Sequence, residues 1–468
     1  MIPQRCLVLG LGTTGEAVAK ALLGLGVDVR AADARADDAL SARARLLGCA
    51  GADVRLGGLD EALLDGRDVV VASPGVAPRH PVLQAALARG VPVWSEPELA
   101  WRLAAGRTRL IGVTGTNGKT TTTELVAACL GAPAGGNIGT PLVELLGGPT
   151  PPPLVVAELS SFQLHFTHML HLDVAVLLNV ACDHLDWHGS MPAYQAAKAR
   201  AWARQRRTDA VVVNVEDPGA VEAVRAHPPP GVVVHVGTGP PKRAPAVGVI
   251  DGSVVWRPLI GQSVVNSAGE PAEVVAVEDL SLVGRHNLAN ACAAVAAAIC
   301  AGADPVGLAP VVAAFTTGPH RVERVAGVGG VTWVNDSKAT NPHAAAAALR
   351  SFGSVVWIAG GLDKDLDFDG LDDLVRERVR VTVTIGSCGP ELAALSRRVG
   401  VPAVEAGTLT AAVDVAAGLA RPGDTVLLAP AAASMDQFTD YAARGQAFRD
   451  LVTELAKRPS AQKTVAKT

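Results

Sequence analysis

The residues best suited to chemistry form a loop rich in glycine and threonine between a predicted strand and a predicted helix. The strand Arg109–Val113 runs into the sequence TGTNGKTT, and the helix is predicted over Thr123–Leu130. Glycines let backbone N–H groups converge on one anion, and the helix N-terminus adds partial positive charge. We expect Lys119 to reach the terminal phosphates of a nucleotide and Thr120 to hold Mg²⁺. A strict Walker pattern misses this loop because Val113 replaces its first glycine, yet the strand–loop–helix context predicts phosphate binding.

Polar side chains follow the next two predicted strands, 154–157 and 173–179. Glu158 comes directly after the first, and Asp183 and His184 follow the second. Ligands of open α/β sheets lie outside the carboxyl ends of the strands, so these groups should face the same nucleotide. A carboxylate and an imidazole there suit Mg²⁺ beside a triphosphate, and we assign function to Glu158 and His184. For Asp186 and His188, a helix cap or a solvated loop side chain is the preferred interpretation.

A second glycine-rich motif lies near the N-terminus. Gly10, Gly12 and Gly15 follow a predicted strand in GxGxxG spacing, and Asp33 ends the next strand. Taken by itself, this pattern predicts a NAD-dependent oxidoreductase. A lone fingerprint of this kind is not specific, and this chain carries a second phosphate loop, so the oxidoreductase is retained only as the alternative from another class.

The elements that must position these residues alternate between short Val/Leu/Ile runs and Ala-rich helical stretches, which predicts doubly wound α/β sheets with parallel strands. At 468 residues the chain is too long for one core. We predict a Rossmann-like domain at 1–106, a P-loop ATPase-like central domain with a parallel sheet at 107–317, and a Rossmann-like domain at 318–468. The clearest predicted strands are 5–9, 69–72, 109–113, 154–157, 173–179, 210–214, 331–334, 354–358, 380–385 and 424–428.

Composition and charge exclude several classes of function. The formal net charge is −4, so no basic surplus points to nucleic acid or to an anionic membrane. No apolar stretch reaches the length of a membrane span, and the N-terminus has no signal-peptide pattern. The seven cysteines have no paired spacing and are expected to be thiols in a reducing compartment. We therefore expect a cytoplasmic enzyme without membrane insertion.

The combination of motifs resembles the Mur ligases, the ATP-dependent amide ligases that build the peptide stem of bacterial peptidoglycan. The resemblance covers essentially the whole chain, and the same departure from the Walker pattern is usual in that family. The segments that carry it are GTNGKT at 115–120, NIG at 137–139, ELSSFQ at 158–163, DHLD at 183–186, RHN at 285–287 with Asn290, HR at 320–321 and NDSKATN at 335–341.

Within the family, the segments at 160–163 and 434–448 look like the ligases that add D-glutamate to UDP-N-acetylmuramoyl-L-alanine. Met435 and Tyr441 stand where those ligases more often have Leu and Phe, and both substitutions preserve bulk. Another amino-acid ligase of the same architecture remains an alternative. The resemblance implies small-molecule substrates, an acyl-phosphate intermediate and a monomer.

The resemblance also implies residue roles. Catalysis is expected of Lys119, Glu158, His184 and Lys198. ATP is expected to contact Gly115, Thr116, Asn117, Gly118, Lys119, Thr120, Thr121, Asn287, Asn290, Arg321 and Asp336. The UDP-sugar is expected at Thr13, Thr14, Asp33, Arg35, Ser73, Asn137 and Gly139. D-Glutamate is expected at Lys338, Thr340, Lys364, Ser434 and Tyr441.

Two Mg²⁺ ions are implied, one near Thr120 and Glu158 and one near His184 and Lys198. A lysine beside a metal is contradictory as an ammonium, because both are cations. In the family this lysine is carbamylated, which turns it into an anionic oxygen donor. From the residues alone, Lys198 is typical of a solvated helix lysine.

Overall fold

The computed structural model describes residues 2–259, 271–282, 284–362 and 367–457. The chain forms two compact units, Met1–Leu280 with Ala289–Ala314, and Ser281–Leu288 with Phe315–Thr468. The strands are β1 Arg5–Leu9, β2 Asp28–Asp33, β3 Asp53–Leu56, β4 Val69–Ala72, β5 Val93–Trp94, β6 Arg109–Thr114, β7 Ala134–Gly136, β8 Leu154–Glu158, β9 Val174–Leu177, β10 Ala210–Asn214, β11 Val232–Val236, β12 Ala246–Ile250, β13 Ser253–Arg257, β14 Ala272–Ala276, β15 Glu323–Val328, β16 Val331–Asn335, β17 Val355–Gly360, β18 Val379–Ile385, β19 Ala403–Gly407 and β20 Thr425–Leu428.

Helices connect these strands in nearly every crossover. They are α1 Thr13–Gly24, α2 Asp38–Cys49, α3 Pro81–Ala88, α4 Glu96–Ala104, α5 Lys119–Leu130, α6 Leu142–Leu146, α7 Ser161–His165, α8 Leu185–His188, α9 Met191–Ala199, α10 Pro218–Ala226, α11 Arg285–Cys300, α12 Ala309–Ala314, α13 Pro342–Leu349, α14 Asp372–Arg378, α15 Gly389–Arg398, α16 Leu409–Leu419 and α17 Tyr441–Lys457. Single 3-10 turns cover Glu61–Leu64, Val277–Asp279, Pro305–Leu308 and Asp369–Leu371.

The first unit holds two sheets. The five-stranded sheet has the order β3-β2-β1-β4-β5, and all its strands run parallel. The nine-stranded sheet has the order β14-β13-β12-β11-β10-β9-β6-β8-β7. Its strands are parallel except for the antiparallel pairs β12–β13 and β13–β14 at one edge. Strands β9, β6 and β8 are neighbours, so their carboxyl ends meet at one edge of the sheet.

One hydrophobic core joins the two sheets of the first unit. It runs from Val8 and Leu22 of the first sheet, through Leu99 and Leu103 of α4, to Val155 of the central sheet. Glu98 of α4 is completely buried and accepts N–H groups from His168, Met169 and Leu170 at 2.9, 3.0 and 2.9 Å. The helix between the two sheets is therefore anchored by both apolar packing and a buried carboxylate.

The second unit holds a six-stranded sheet of order β15-β16-β20-β17-β18-β19. Only β15 runs antiparallel, at one edge. Helices cover both faces, with separate core clusters around Trp357 and around Trp333.

The predicted α/β class with three parallel-dominated sheets is confirmed. The predicted strands at 5–9, 69–72 and 210–214 have those bounds, whereas the strand predicted over 173–179 is shorter, Val174–Leu177. The domain boundaries at 106 and 317 stay predictions. Within the described part of the chain, no helix is both long enough and apolar enough to cross a bilayer.

Candidate active site at the phosphate loop

The phosphate loop connects β6 to α5 as the sequence predicts. Gly118 precedes the first residue of α5 with φ +82°, a left-handed conformation that glycine adopts without strain. A Cβ at Gly118 would lie 2.5 Å from Oδ1 of Asn290, so Asn290 of α11 packs directly on the loop. On the other side, the Asn117 N–H donates to Oδ1 of Asn179 at 2.8 Å, and Asn179 returns a bond to the Asn117 carbonyl. The loop is thus held between the end of β9 and α11.

Two lysines converge on one carbonyl oxygen of this loop. Lys119 Nζ donates to the Gly115 carbonyl at 3.0 Å and to the Thr116 carbonyl at 2.8 Å. Lys198 Nζ donates to the same Gly115 carbonyl at 2.9 Å and is 1% exposed. Burial, together with the charge of Lys119, holds the pKa of Lys198 well below its usual range. Lys198 is therefore a buried lysine rather than a solvated helix lysine.

Glu158 ends β8 beside the loop and is 2% exposed. Its Oε1 accepts from Asn137 Nδ2 at 2.8 Å, and its backbone carbonyl accepts the Asn137 N–H at 2.9 Å. Its Oε2 is buried without a hydrogen-bond partner. Burying a carboxylate oxygen without a partner costs folding free energy unless a cation or a proton binds to it. Together with the buried hydroxyl residue Thr120, Glu158 fits a Mg²⁺ ion that also takes phosphate and water oxygens.

His184 lies at the N-terminus of α8 with φ +55°, a conformation uncommon for residues other than glycine. Its ring packs against the Phe162 ring in a tilted arrangement, with centroids 4.7 Å apart, and its Nδ1 lies 3.5 Å from Asp183 Oδ1. Burial lowers the pKa of the imidazole, although the Asp183 carboxylate opposes this effect. A neutral imidazole can accept a proton or bind a metal.

The loop is further tied to the His184 region by Tyr194 of α9. The Tyr194 hydroxyl lies 3.1 Å from Thr116 Oγ1, which also accepts the Ala181 N–H at 3.0 Å. His188 differs from the solvated or capping side chain expected for it: it is half-buried, and its Nε2 pairs with Ser161 Oγ at 3.0 Å. Burial lowers its pKa to about 4. Asp186 is exposed, as expected.

Two further residues predicted to contact ATP are buried, one in each compact unit. Thr121 is buried next to Thr120 at the start of α5, and Asn287 is buried at the start of α11. Asn137 was expected at the UDP-sugar, yet its side chain contacts Glu158. Gly139 follows shortly after, with φ +56°. No group of three or more His, Cys, Asp and Glu side chains clusters as a metal cage among the described residues.

The N-terminal glycine motif folds into a tight turn at the end of β1. A Cβ at Gly15 would lie 1.8 Å from the Gly10 carbonyl, and Ser73 Oγ donates to that same carbonyl at 2.9 Å. Asp33 is buried and accepts the backbone N–H groups of Leu11 at 2.8 Å and Arg35 at 3.0 Å. Its carboxylate thus shapes the turn. Thr13 and Thr14 begin α1, where the helix terminus can receive a diphosphate.

In the second unit, Asp336 follows β16 and is buried. It accepts the Val322 N–H at 3.3 Å, and burial raises its pKa to about 7. The residues on both sides of Arg321 have positive φ, +66° at His320 and +47° at Val322. For a β-branched residue such as Val322 this backbone is strained, and strain of this kind concentrates at functional sites.

Two of the residues predicted to bind the amino acid contact each other. Lys338 Nζ lies 3.9 Å from the centre of the Tyr441 ring, a cation–π geometry. Thr340 follows two residues later, with its N–H donating to the Lys338 carbonyl at 2.8 Å. Ser434 is buried after β20. Lys364 lies outside the described residues.

Sequence reasoning gave no role to Arg444, which is 1% exposed on α17. Its guanidinium donates to Ser337 Oγ at 3.0 Å, to the Ser337 carbonyl at 3.0 Å, to the Ala432 carbonyl at 3.1 Å, and to the Gly360 and Ala433 carbonyls at 3.4 and 3.3 Å. Burial lowers its pKa to about 10. One side chain therefore ties together the segments after β16, β17 and β20, where the predicted amino-acid ligands lie.

Comparisons with known proteins identify the family of the chain. Three family models match, described as the Mur ligase MurD-like N-terminal domain at residues 4–95, the Mur ligase middle domain at 113–298 and the Mur ligase glutamate ligase domain at 320–432. Between them they cover most of the chain.

Two relatives are similar over nearly their whole length. The UDP-N-acetylmuramoylalanine–D-glutamate ligase of Frankia casuarinae is 46% identical, with 94% of this chain and 92% of the relative covered. The ligase of the same name from Thermobifida fusca is 42% identical, with 97% and 99% covered. Among solved structures, MurF from Acinetobacter baumannii shares the fold, with a TM-score of 0.59 at 18% identity over 97% of this chain and 93% of that one. With its phosphate loop, buried strand-end carboxylate and three matching domain models, the chain belongs to the Mur ligase family.

Proposed function

We propose that this protein is an ATP-dependent ligase that joins D-glutamate to UDP-N-acetylmuramoyl-L-alanine during synthesis of peptidoglycan precursors. The observation that carries the proposal is the 46% identity, over 94% of the chain, to a relative named for that reaction. The site agrees with it, because the phosphate loop, Glu158 and His184 lie together. ATP and Mg²⁺ are the cofactors used by the family, and the substrates are small molecules.

A carboxylate at neutral pH is a poor electrophile, so forming an amide requires a leaving group on its carbon. Transfer of the γ-phosphoryl group of ATP to the L-alanyl carboxylate forms an acyl phosphate and releases ADP. The amine of D-glutamate then attacks the acyl carbon, and inorganic phosphate leaves. Phosphoryl transfer depends mainly on positioning and on neutralising charge. Lys119 would turn from its own loop carbonyls to the phosphates and supply that charge.

Bound Mg²⁺ would neutralise phosphate charge, and its ligands would include Thr120 and Glu158. The unpartnered Oε2 of Glu158 supports this assignment. A second ion near His184 and Lys198 requires that Lys198 be carbamylated. Carbamylation needs a neutral amine, and the burial that lowers the pKa of Lys198 favours that form. The carbamate would also place an anion beside Lys119, where the two lysine side chains now share the Gly115 carbonyl.

D-Glutamate carries two carboxylates, which require cations and hydroxyl groups. We assign this role to Lys338, Thr340, Lys364, Ser434 and Tyr441. Arg321 and Asp336 are assigned to ATP, as are Asn287 and Asn290. The UDP-sugar is assigned to Thr13, Thr14, Asp33, Arg35 and Ser73, with Asn137 and Gly139 from the central domain. Asp33 would act chiefly through the backbone that it holds. A cytoplasmic monomer completes the proposal.

The assignment is tested by phosphate release from ATP with UDP-N-acetylmuramoyl-L-alanine and one amino acid at a time. We expect turnover with D-glutamate and little with L-alanine, L-lysine or meso-diaminopimelate. Equal rates with all four, or phosphate release without any amino acid, would contradict the substrate assignment. The oxidoreductase alternative predicts a change in NADH absorbance, which we do not expect, because Asp33 is already engaged by backbone N–H groups.

Carbamylation of Lys198 has two independent readouts. In ¹³C-bicarbonate, the wild type should show a carbamate carbon resonance that Lys198→Ala lacks. The activity lost in Lys198→Ala should return in part with a short-chain carboxylic acid, which supplies the missing oxygen donors. A spectrum without the resonance, together with no rescue, would reject the carbamate.

A further inference from the structure

A cavity of about 320 Å³ opens on the first unit, between the segment after α7 and the turn after α9. Its walls are Thr167, His168, Leu170, Arg200, Ala203 and Arg204. None of these residues belongs to the sites assigned above. The cavity is half open to solvent, because Ala203 and Arg204 are exposed whereas Thr167 and Leu170 are buried.

Two guanidinium groups line this cavity and are held in place by backbone carbonyls. Arg200 Nη1 donates to the Thr167 carbonyl at 2.7 Å, and Arg204 Nε donates to the His168 carbonyl at 2.7 Å. A guanidinium has five N–H donors, so each group has further donors that can bind a ligand after this anchoring. The anchoring also fixes the two side chains, which lowers the entropy cost of binding a ligand.

No direct ion pair neutralises these two guanidinium groups among the described residues. Neither Arg200 nor Arg204 forms an ion pair with a carboxylate in the described ranges 2–259, 271–282, 284–362 and 367–457. The nearby Glu98 is occupied by Arg102 at 2.7 Å and by the three N–H groups of residues 168–170. We propose that this cavity is an anion site that binds a small phosphomonoester through Arg200 and Arg204.

Two guanidinium groups favour an anion that carries two negative charges. A phosphomonoester dianion has this charge, and its oxygens can accept hydrogen bonds from both groups. The volume exceeds that of a phosphate group alone, so a small organic group can accompany it. Arg200 is also the C-terminal cap of α9, the helix that carries Lys198. A bound anion would therefore adjoin an element of the catalytic site.

The proposal can be tested by ³¹P NMR line broadening of glycerol 3-phosphate added to the full-length protein. The other phosphate sites are first saturated with the ATP analogue AMP-PNP, with Mg²⁺, and with UDP. We expect saturable broadening with the wild type and an apparent Kd at least about tenfold higher for Arg204→Gln, which removes a charge-assisted contact. Arg207→Gln is the matched control, because Arg207 is an exposed arginine of the same segment outside the cavity wall.

Competition identifies the chemistry of the ligand. Inorganic phosphate should displace glycerol 3-phosphate more strongly than succinate does. Equal affinity of the wild type, Arg204→Gln and Arg207→Gln, or no saturable broadening in the wild type, would overturn the site. Succinate competing as well as phosphate would overturn the phosphomonoester. Since the assay measures binding alone, its result is independent of whether the ligase assignment is correct.

Discussion

At the scale of single residues, the phosphate loop is bordered by two buried polar groups that suit a charged ligand. Glu158 keeps one oxygen without a partner, and Lys198 is a buried amine beside Lys119. Both would be costly in a protein that bound nothing there. Arg444 is the opposite case, a buried cation whose donors are satisfied by its own chain.

Glu158→Gln should lower kcat by about a thousandfold while the protein stays folded, because the carboxylate charge that faces Mg²⁺ is lost and the volume is kept. The dependence of the rate on Mg²⁺ concentration should shift to higher values. Glu222→Gln, on the exposed surface of α10, serves as the control and should match the wild type. A Glu158→Gln enzyme with ordinary Mg²⁺ dependence would argue against metal ligation.

Arg444→Met should destabilise the second unit by about 3–5 kcal/mol, since it leaves buried carbonyls without donors. Denaturant unfolding should show the loss in the transition of that unit. Arg376→Met removes an exposed arginine of α14 and should change stability by less than about 1 kcal/mol. Similar losses for the two variants would refute the role given to Arg444.

Not all of this could be predicted from the sequence. Glu158 and His184 were identified because they follow predicted strands, and parallel strand ends meet at one edge. Lys198 could be assigned only by resemblance, since an Ala-Ala-Lys helix segment is typical of solvent exposure. Arg444 lies in the segment 434–448 that carries the resemblance, but its structural role was not predicted, because its partners Ser337 and Gly360 come from distant parts of the chain.

At the scale of elements, α11 packs against the start of α5 at one glycine, Gly118. Gly118 needs a left-handed backbone, and it also needs to lack a Cβ, because Asn290 lies against it. The spacing of the sequence predicted the left-handed turn. The need for a residue without a Cβ arises from α11, a helix more than 160 residues later, and local sequence patterns do not encode that contact.

Gly118→Ala should both lower stability and weaken ATP binding, because the new methyl group displaces Asn290 and shifts the loop N–H groups. Gly131→Ala is a matched control: Gly131 has φ +58° at the other end of α5, with open space around its Cβ. Both variants should lose about 1 kcal/mol or more from backbone strain. Calorimetric titration with AMP-PNP should show weaker binding only for Gly118→Ala, and equal affinities would contradict the packing argument.

At the scale of the whole molecule, the buried carboxylate of Glu96 on α4 makes stability depend on pH. Glu96 accepts the Val143 N–H at the start of α6, and its other oxygen has no partner. Burial raises its pKa to about 7. Between its ordinary pKa near 4.5 and pH 7, the folded state holds a proton that the unfolded chain has released, so stability falls as pH rises through this window.

Glu96→Gln keeps the shape of the protonated acid without its titration. The variant should therefore gain stability relative to the wild type as pH rises from 5 to 8, by at most about 3 kcal/mol for one proton. Thermal unfolding of both proteins across this range measures the difference. Parallel curves at every pH would show that Glu96 does not titrate in this window.

The position of α4 also bears on how such enzymes can be recombined. The helix follows the last strand of the first sheet, yet Glu96 caps α6 and Glu98 gathers residues 168–170 of the central domain. The residues that these two glutamates contact are therefore about 45 to 70 positions away from α4 in the sequence. A chimera that exchanges residues 1–106 between two ligases would separate α4 from the residues that it contacts in its own protein. The exchange should succeed when the start of α6 and residues 168–170 are exchanged together with the helix.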